Sequence, residues 1–273
     1  PDYDTRAARY PVVYVLHGFT GDESTLVWKF KAAMDTLLRA GAVTEMILVF
    51  PNANNRLGGS MYLSSPTIGD YETYIAEELV AYVDANYRTL AQPASRGITG
   101  CSMGGDGAIH LALTHPDVFS VAAPDSATYD WSQDPTLAVA VADLRAEPAD
   151  LDALASLSTW HAAAWYASAA ASAANPGNLP FYFDLPFTVV DGKGEIVQDV
   201  IDRIVADDPV HDLERYRQGT DRLRAVMVYH GELDGVAPIA LARAFAARLA
   251  EAGVDYELVE ALEAHCELDY API

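Results

Sequence analysis

Ile98-Thr99-Gly100-Cys101-Ser102-Met103-Gly104-Gly105 decides how the rest of the chain is read. It contains G-x-S-x-G between a short apolar run, Arg96 to Thr99, and a helical pattern, Asp106 to Leu113. A strand, a sharp turn and a helix in that order hold a serine exposed above the carboxyl end of a strand. Glycines on both sides of Ser102 permit a strained turn and a close approach of neighbouring elements. The motif is cheap by chance in a chain with 18 glycines. Its flanks therefore carry the reading of Ser102 as a nucleophile, against a serine that merely caps a helix.

Working outward, Tyr10 to Leu16 is a β-branched and aromatic run suited to a strand buried on both faces, and it ends in His17-Gly18-Phe19. A helical pattern over 26–40, a strand over 46–51 and a helix from Asp70 to Tyr87 precede the Ser102 turn. Between them, the Asn/Gly/Ser-rich loop 52–69 belongs at the carboxyl edge of the sheet. After the turn come strands over 119–124, 225–229 and 256–260, with a helix over 239–252. Such alternation predicts an α/β fold, a mostly parallel sheet with helices on both faces. Residues 1–128 and 221–273 form its core. The polar and Ala-rich stretch 129–220 is too long for a structureless connection and reads as a helical insertion or lid.

Composition narrows the function classes. The 273 residues, 51% hydrophobic, suffice for a full core. Formal net charge is −22, from 39 acidic and 17 basic residues, only three of them lysines (Lys29, Lys31, Lys193). A surface so acidic repels phosphate backbones and anionic lipid, which argues against nucleic-acid or membrane partners. No run approaches the ~18–20 apolar residues of a membrane span. The first residues show no charged-then-apolar leader pattern. Histidines and cysteines lack metal-ligand spacing, and neither a metal nor a cofactor is expected.

A serine hydroxyl attacks only when a base takes its proton and a third group orients that base. With a nucleophile on this kind of turn, the chain order is serine, acid, histidine. His265 is the only histidine after Asp234, and each follows a predicted strand. Glu232 is the rival acid. The oxyanion of a tetrahedral intermediate requires two donors. They are expected to be the Met103 N–H, next to the nucleophile, and the Phe19 N–H, from the loop after the first strand. Trp160, Trp165 and Tyr182, in the insertion, are candidate pocket residues; their alternative is the insertion's own small core.

Tyr10-Pro11-Val12-Val13-Tyr14-Val15-Leu16-His17-Gly18, Glu72 to Leu79, Gly100 to Gly105 and His115 to Phe119 resemble the esterase-D-like group of α/β-hydrolases. That group includes feruloyl esterases, S-formylglutathione hydrolases and mycolyltransferases. The resemblance covers most of 10–125 and resumes, more weakly, from about 225. It implies an α/β-hydrolase fold, a Ser102–Asp234–His265 triad and a Phe19/Met103 oxyanion hole. It also implies a serine carboxylic-ester hydrolase acting on small esters, with hydroxycinnamic esters as the substrate bet. A thioesterase or acyltransferase with the same triad is the alternative, and a non-catalytic binding domain a remote one. Members usually carry one or two strands ahead of the one at 10–16, so a sheet lacking them is expected. Cys101 beside Ser102 and Cys266 beside His265 are similar to the CS-D-HC pattern of tannases and fungal feruloyl esterases. That pattern implies a Cys101–Cys266 disulfide and, with it, a secreted or periplasmic setting; two buried free thiols are the other reading.

Overall fold

The computed structural model describes residues 3–267. Six parallel strands form the central sheet: β1 (Val12–Leu16), β2 (Ile47–Val49), β3 (Arg96–Cys101), β4 (Val121–Asp125), β5 (Ala225–Gly231) and β6 (Tyr256–Ala261). Their spatial order is β6-β5-β4-β3-β1-β2. β1 pairs on one side with β2, from Val12 opposite Ile47, and on the other with β3, ending with Leu16 opposite Gly100. β3 then pairs with β4 up to Cys101 opposite Asp125. The chain thus runs from β1 outward to β2 and returns across β1 to β3. Right-handed crossovers on a sheet whose order reverses put helices on both faces, and ligands bind beyond the carboxyl ends at the reversal. Here those ends carry His17-Gly18-Phe19 and Ser102.

Helices α1 (Val27–Ala40), α3 (Met103–Thr114) and α9 (Ile239–Glu251) are continuous. α2 is assembled from Tyr71–Thr73, a π-helical stretch Tyr74–Leu79 and Val80–Asn86. α3 is the most deeply buried: every residue from Met103 to Leu113 is inside. Small residues at its start allow this, since a Cβ on Gly104 would collide with the carbonyl of Leu16.

Between β4 and β5 the chain forms α4 (Thr136–Asp143), α5 (Leu151–Ala155), α6 (Trp160–Ser172), α7 (Gln198–Val205) and α8 (Pro209–Tyr216). The expectation of a helical insertion omits one element. Phe187–Val190 and Lys193–Ile196 pair as an antiparallel hairpin. Its turn, Asp191-Gly192, has both residues at positive φ (50° and 73°), which is what an Asp-Gly hairpin turn requires. Trp165, Tyr166, Phe183 and Phe187 are buried and join the same apolar core as the sheet. The segment therefore does not close around a core of its own. Among the described residues no helix is long and apolar enough to cross a membrane.

Candidate active site

Ser102 follows β3 and precedes α3 with φ 57° and ψ −123°, a strained conformation for a residue with a side chain. The turn is held from both sides. Its N–H donates to the Asp125 carbonyl (3.0 Å), and its carbonyl accepts from the N–H groups of Gly105 and Asp106 (2.8 and 2.9 Å). Met103 opens α3, so its N–H is a first-turn donor without an intrahelical acceptor. No acceptor among the described residues takes the Phe19 N–H. Loop residues Gly58 and Gly59 close over these two positions. A Cβ on Gly59 would strike the Met103 sulfur, and one on Gly58 would lie 2.9 Å from the Phe19 ring.

Asp234 lies in the turn after β5, with its carboxylate fully buried. Oδ1 accepts from the N–H groups of Val236 (2.8 Å) and Ala237 (2.9 Å). Oδ2 accepts from His265 Nδ1 at 2.8 Å. Burial pushes the Asp234 carboxyl up, but His265, through its hydrogen bond and charge, and the two backbone donors outweigh it and hold the group below the ordinary carboxylate value. With Nδ1 engaged, Nε2 is the remaining ring nitrogen of His265. Glu232, the rival acid, is exposed.

Cys101 and Cys266 are joined by a disulfide, their Cα atoms 5.8 Å apart and 165 residues apart in sequence. It ties the end of β3, next to Ser102, to the segment carrying His265. Two further bonds pin that segment: Cys266 N–H donates to Ser126 Oγ (3.2 Å), and Lys29 Nζ donates to the Cys266 carbonyl (2.9 Å).

His17 reaches the same sheet edge but faces inward. It is buried, its Nε2 accepts from the Ala53 N–H (2.9 Å), and its Nδ1 donates to the Gly18 carbonyl (2.9 Å). Burial lowers its pKa, so the neutral ring splices the loop after β1 to the loop after β2. His230 packs behind the acid. Its Nε2 lies 3.5 Å from Asp234 Oδ2 and donates to the Ala237 carbonyl at 2.7 Å.

A cleft, partly open to solvent, adjoins Ser102. Phe19, Trp131, Trp160 and Trp165 are its aromatic lining residues, and Asp106 and Asp134 also line it. Burial pushes the Asp106 carboxyl up to about 7, against the Tyr129 and Thr128 N–H groups it accepts from. Burial also raises Asp134, against its bonds to Thr136. Of the three candidate pocket residues, Trp160 and Trp165 line this cleft and Tyr182 lies outside its lining. Its carbonyl instead accepts from Thr67 Oγ1 (2.6 Å) and the Asn175 N–H (2.8 Å), and its ring is 46% exposed. Trp131, Asp106 and Asp134 were not foreseen. Only Asp106 has a sequence signal: it sits one helical turn after Ser102, on the same face of the helix.

A family described as "Putative esterase" matches residues 1–185. Esterase MT1326 of Mycobacterium tuberculosis (strain CDC 1551 / Oshkosh) is 32% identical over 155 residues, covering 55% of this chain and 32% of that protein. The chain therefore spans about a third of that relative's length. Among solved structures, a ferulic acid esterase superposes with a TM-score of 0.61 at 22% identity, covering 98% of this chain and 82% of the other. The S-formylglutathione hydrolase FrmB from Staphylococcus aureus gives 0.59 at 18% identity, covering 98% and 80%. At such identities these two likenesses establish the α/β-hydrolase fold. The family match spans well over half of the 273 residues, and the chain belongs to the putative esterase family.

Proposed function

We propose that the protein is a serine carboxylic-ester hydrolase working through an acyl-enzyme on Ser102. The observation that carries this reading is the hydrogen bond from His265 Nδ1 to the buried Asp234 carboxylate, on a segment tied by disulfide to the strained Ser102 turn. Asp234 fixes the tautomer of His265, leaving Nε2 to take the Ser102 proton as Oγ attacks the ester carbonyl. The N–H groups of Met103 and Phe19 receive the negative charge that develops on the carbonyl oxygen. His265 then returns the proton to the leaving alcohol. Water, deprotonated by the same ring, releases the acid from the acyl-enzyme and restores Ser102. No residue in this scheme needs a cofactor or a metal.

The acyl group is aromatic, of the hydroxycinnamic kind. Phe19, Trp131, Trp160 and Trp165 offer faces for a planar ring, and no lysine or arginine lines the cleft to hold an anionic group. The 129–220 segment acts as the lid over this cleft, since α6 contributes Trp160, Ala164, Trp165 and Ser168 to its lining. The similarity of the fold to an S-formylglutathione hydrolase keeps thioesters as the second substrate class to test.

Release of p-nitrophenol from p-nitrophenyl acetate, with Ser102→Ala as the control, tests the chemistry. Equal rates for the two proteins would remove the nucleophile assignment. Ranking kcat/KM over acetate, butyrate and ferulate esters tests the acyl class, and preference for simple alkyl acyl groups would reject the aromatic assignment.

A further inference from the structure

Beside the triad, Asp125 has no part in the scheme above. It ends β4 opposite Cys101 and is 3% exposed. Its Oδ1 accepts from Ser126 Oγ at 2.9 Å, while Oδ2 is buried without a hydrogen-bond partner among the described residues. Leaving a carboxylate oxygen buried and unpaired is costly, and such a group calls for a proton or a cation. Burial pushes this carboxyl up to about 7, with the Ser126 bond opposing. One ligand atom from each of Cys101, Asp125 and Cys266 falls within 4.8 Å of the others.

We propose that, once its disulfide is reduced, the protein holds one thiophilic divalent cation on Cys101 Sγ, Cys266 Sγ and the Asp125 carboxylate. Two thiolates bound to one zinc-like ion at ~2.3 Å each stand less than ~4.6 Å apart, and the disulfide already holds the two sulfurs inside that limit. Two sulfurs and one oxygen select zinc- or cadmium-type ions over magnesium or calcium. Three protein ligands leave one position open. Lys29 and His265 are the neighbouring basic groups, and both act on the Asp125 charge. Lys29 is already committed to the Cys266 carbonyl, and three anionic ligands offset the ion together with one neighbouring cation. The ion reinstates in coordinate form the tie between the nucleophile strand and the base segment that the disulfide makes covalently.

The chemistry balances. A phosphine reduces the disulfide to two thiols and leaves as its oxide, taking its oxygen and the two thiol protons from one water. The cation then displaces both thiol protons and binds the ionised carboxylate. The ligands are spread over positions 101, 125 and 266, so no short-range spacing announces them.

The test is titration of the phosphine-reduced protein with Cd²⁺, following the ultraviolet thiolate-to-cadmium charge-transfer band. One Cd²⁺ per chain is expected, with no band in the unreduced protein and none in a Cys101→Ser/Cys266→Ser double variant. Asp125→Asn is expected to weaken binding by about tenfold or more, and excess Mg²⁺ to leave it unchanged. The proposal is overturned by the absence of a band at equivalent Cd²⁺, or by equal affinity in the Asp125→Asn variant. Equal affinity is also what a reduced but unfolded chain would give, because its two thiols would bind without regard to residue 125. The readout is independent of esterase activity, so it stands or falls apart from the proposed reaction.

Discussion

His265 Nδ1 and Asp234 Oδ2 are 2.8 Å apart, and the other Asp234 oxygen is occupied by the Val236 and Ala237 N–H groups. The carboxylate is therefore held in one orientation by its own turn before it orients the imidazole. An amide in its place can still accept from the turn with its oxygen, but it then turns an NH2 toward His265 Nδ1. That favours the tautomer with the proton on Nε2, which cannot act as a base toward Ser102. We expect Asp234→Asn to remain folded and to lose about 10³–10⁴-fold in kcat on p-nitrophenyl acetate, with KM little changed. A loss below about tenfold would mean that another group orients His265.

Trp160 supplies a different kind of test because it is 43% exposed, whereas Trp165 is buried and donates its indole N–H to Thr136 Oγ1 at 3.1 Å. Truncating Trp165 would damage the core and the cleft together. Trp160→Ala should cost less than about 1 kcal/mol of stability by urea unfolding. If its ring faces an aromatic acyl group, KM for a ferulate ester should rise several-fold while acetate turnover holds. An equal effect on both esters would assign Trp160 to packing alone.

These two residues also show how far the sequence carries. Strand–turn–helix punctuation around Ser102, and the position of Asp234 and His265 after successive strands, are local patterns. The backbone obeys them because a parallel sheet leaves little freedom at its carboxyl edge. The six strands were legible for the same reason, being continuous apolar runs between helical periods. The insertion was less so. Its Asp191-Gly192 turn was a readable hairpin signal, but its strands, Phe187–Val190 and Lys193–Ile196, are only four residues each. Tyr182 was misplaced because an aromatic residue carries no directional information without a period. Its neighbours Phe181 and Phe183 are buried, and Tyr182 itself is exposed at φ 68°. Asp134 escaped because a cleft acid so far from Ser102 in sequence depends on how distant segments meet.

His110 sits on the buried length of α3, behind the nucleophile. Its Nδ1 pairs with Asp212 Oδ2 at 2.7 Å, and Glu72 lies on its other side with Oε2 3.9 Å from Nε2. Burial alone would lower the pKa of this ring, but Asp212 and Glu72 outweigh it and push the imidazole up to about 10. A histidine whose folded pKa lies above its unfolded value adds stability that is complete below the unfolded pKa, about 6.5, and is lost as pH rises through about 10. Asp106 and Asp125, each raised by burial to about 7, have a dependence of the same sign, but it is spent by about pH 8. The interval from about pH 8 to 10 therefore isolates His110. Tm of the native protein should fall across it, and His110→Gln, less stable at pH 7, should show a shallower fall and approach the native value near pH 10. Parallel Tm profiles for the two proteins would show that His110 is not the group whose proton is lost.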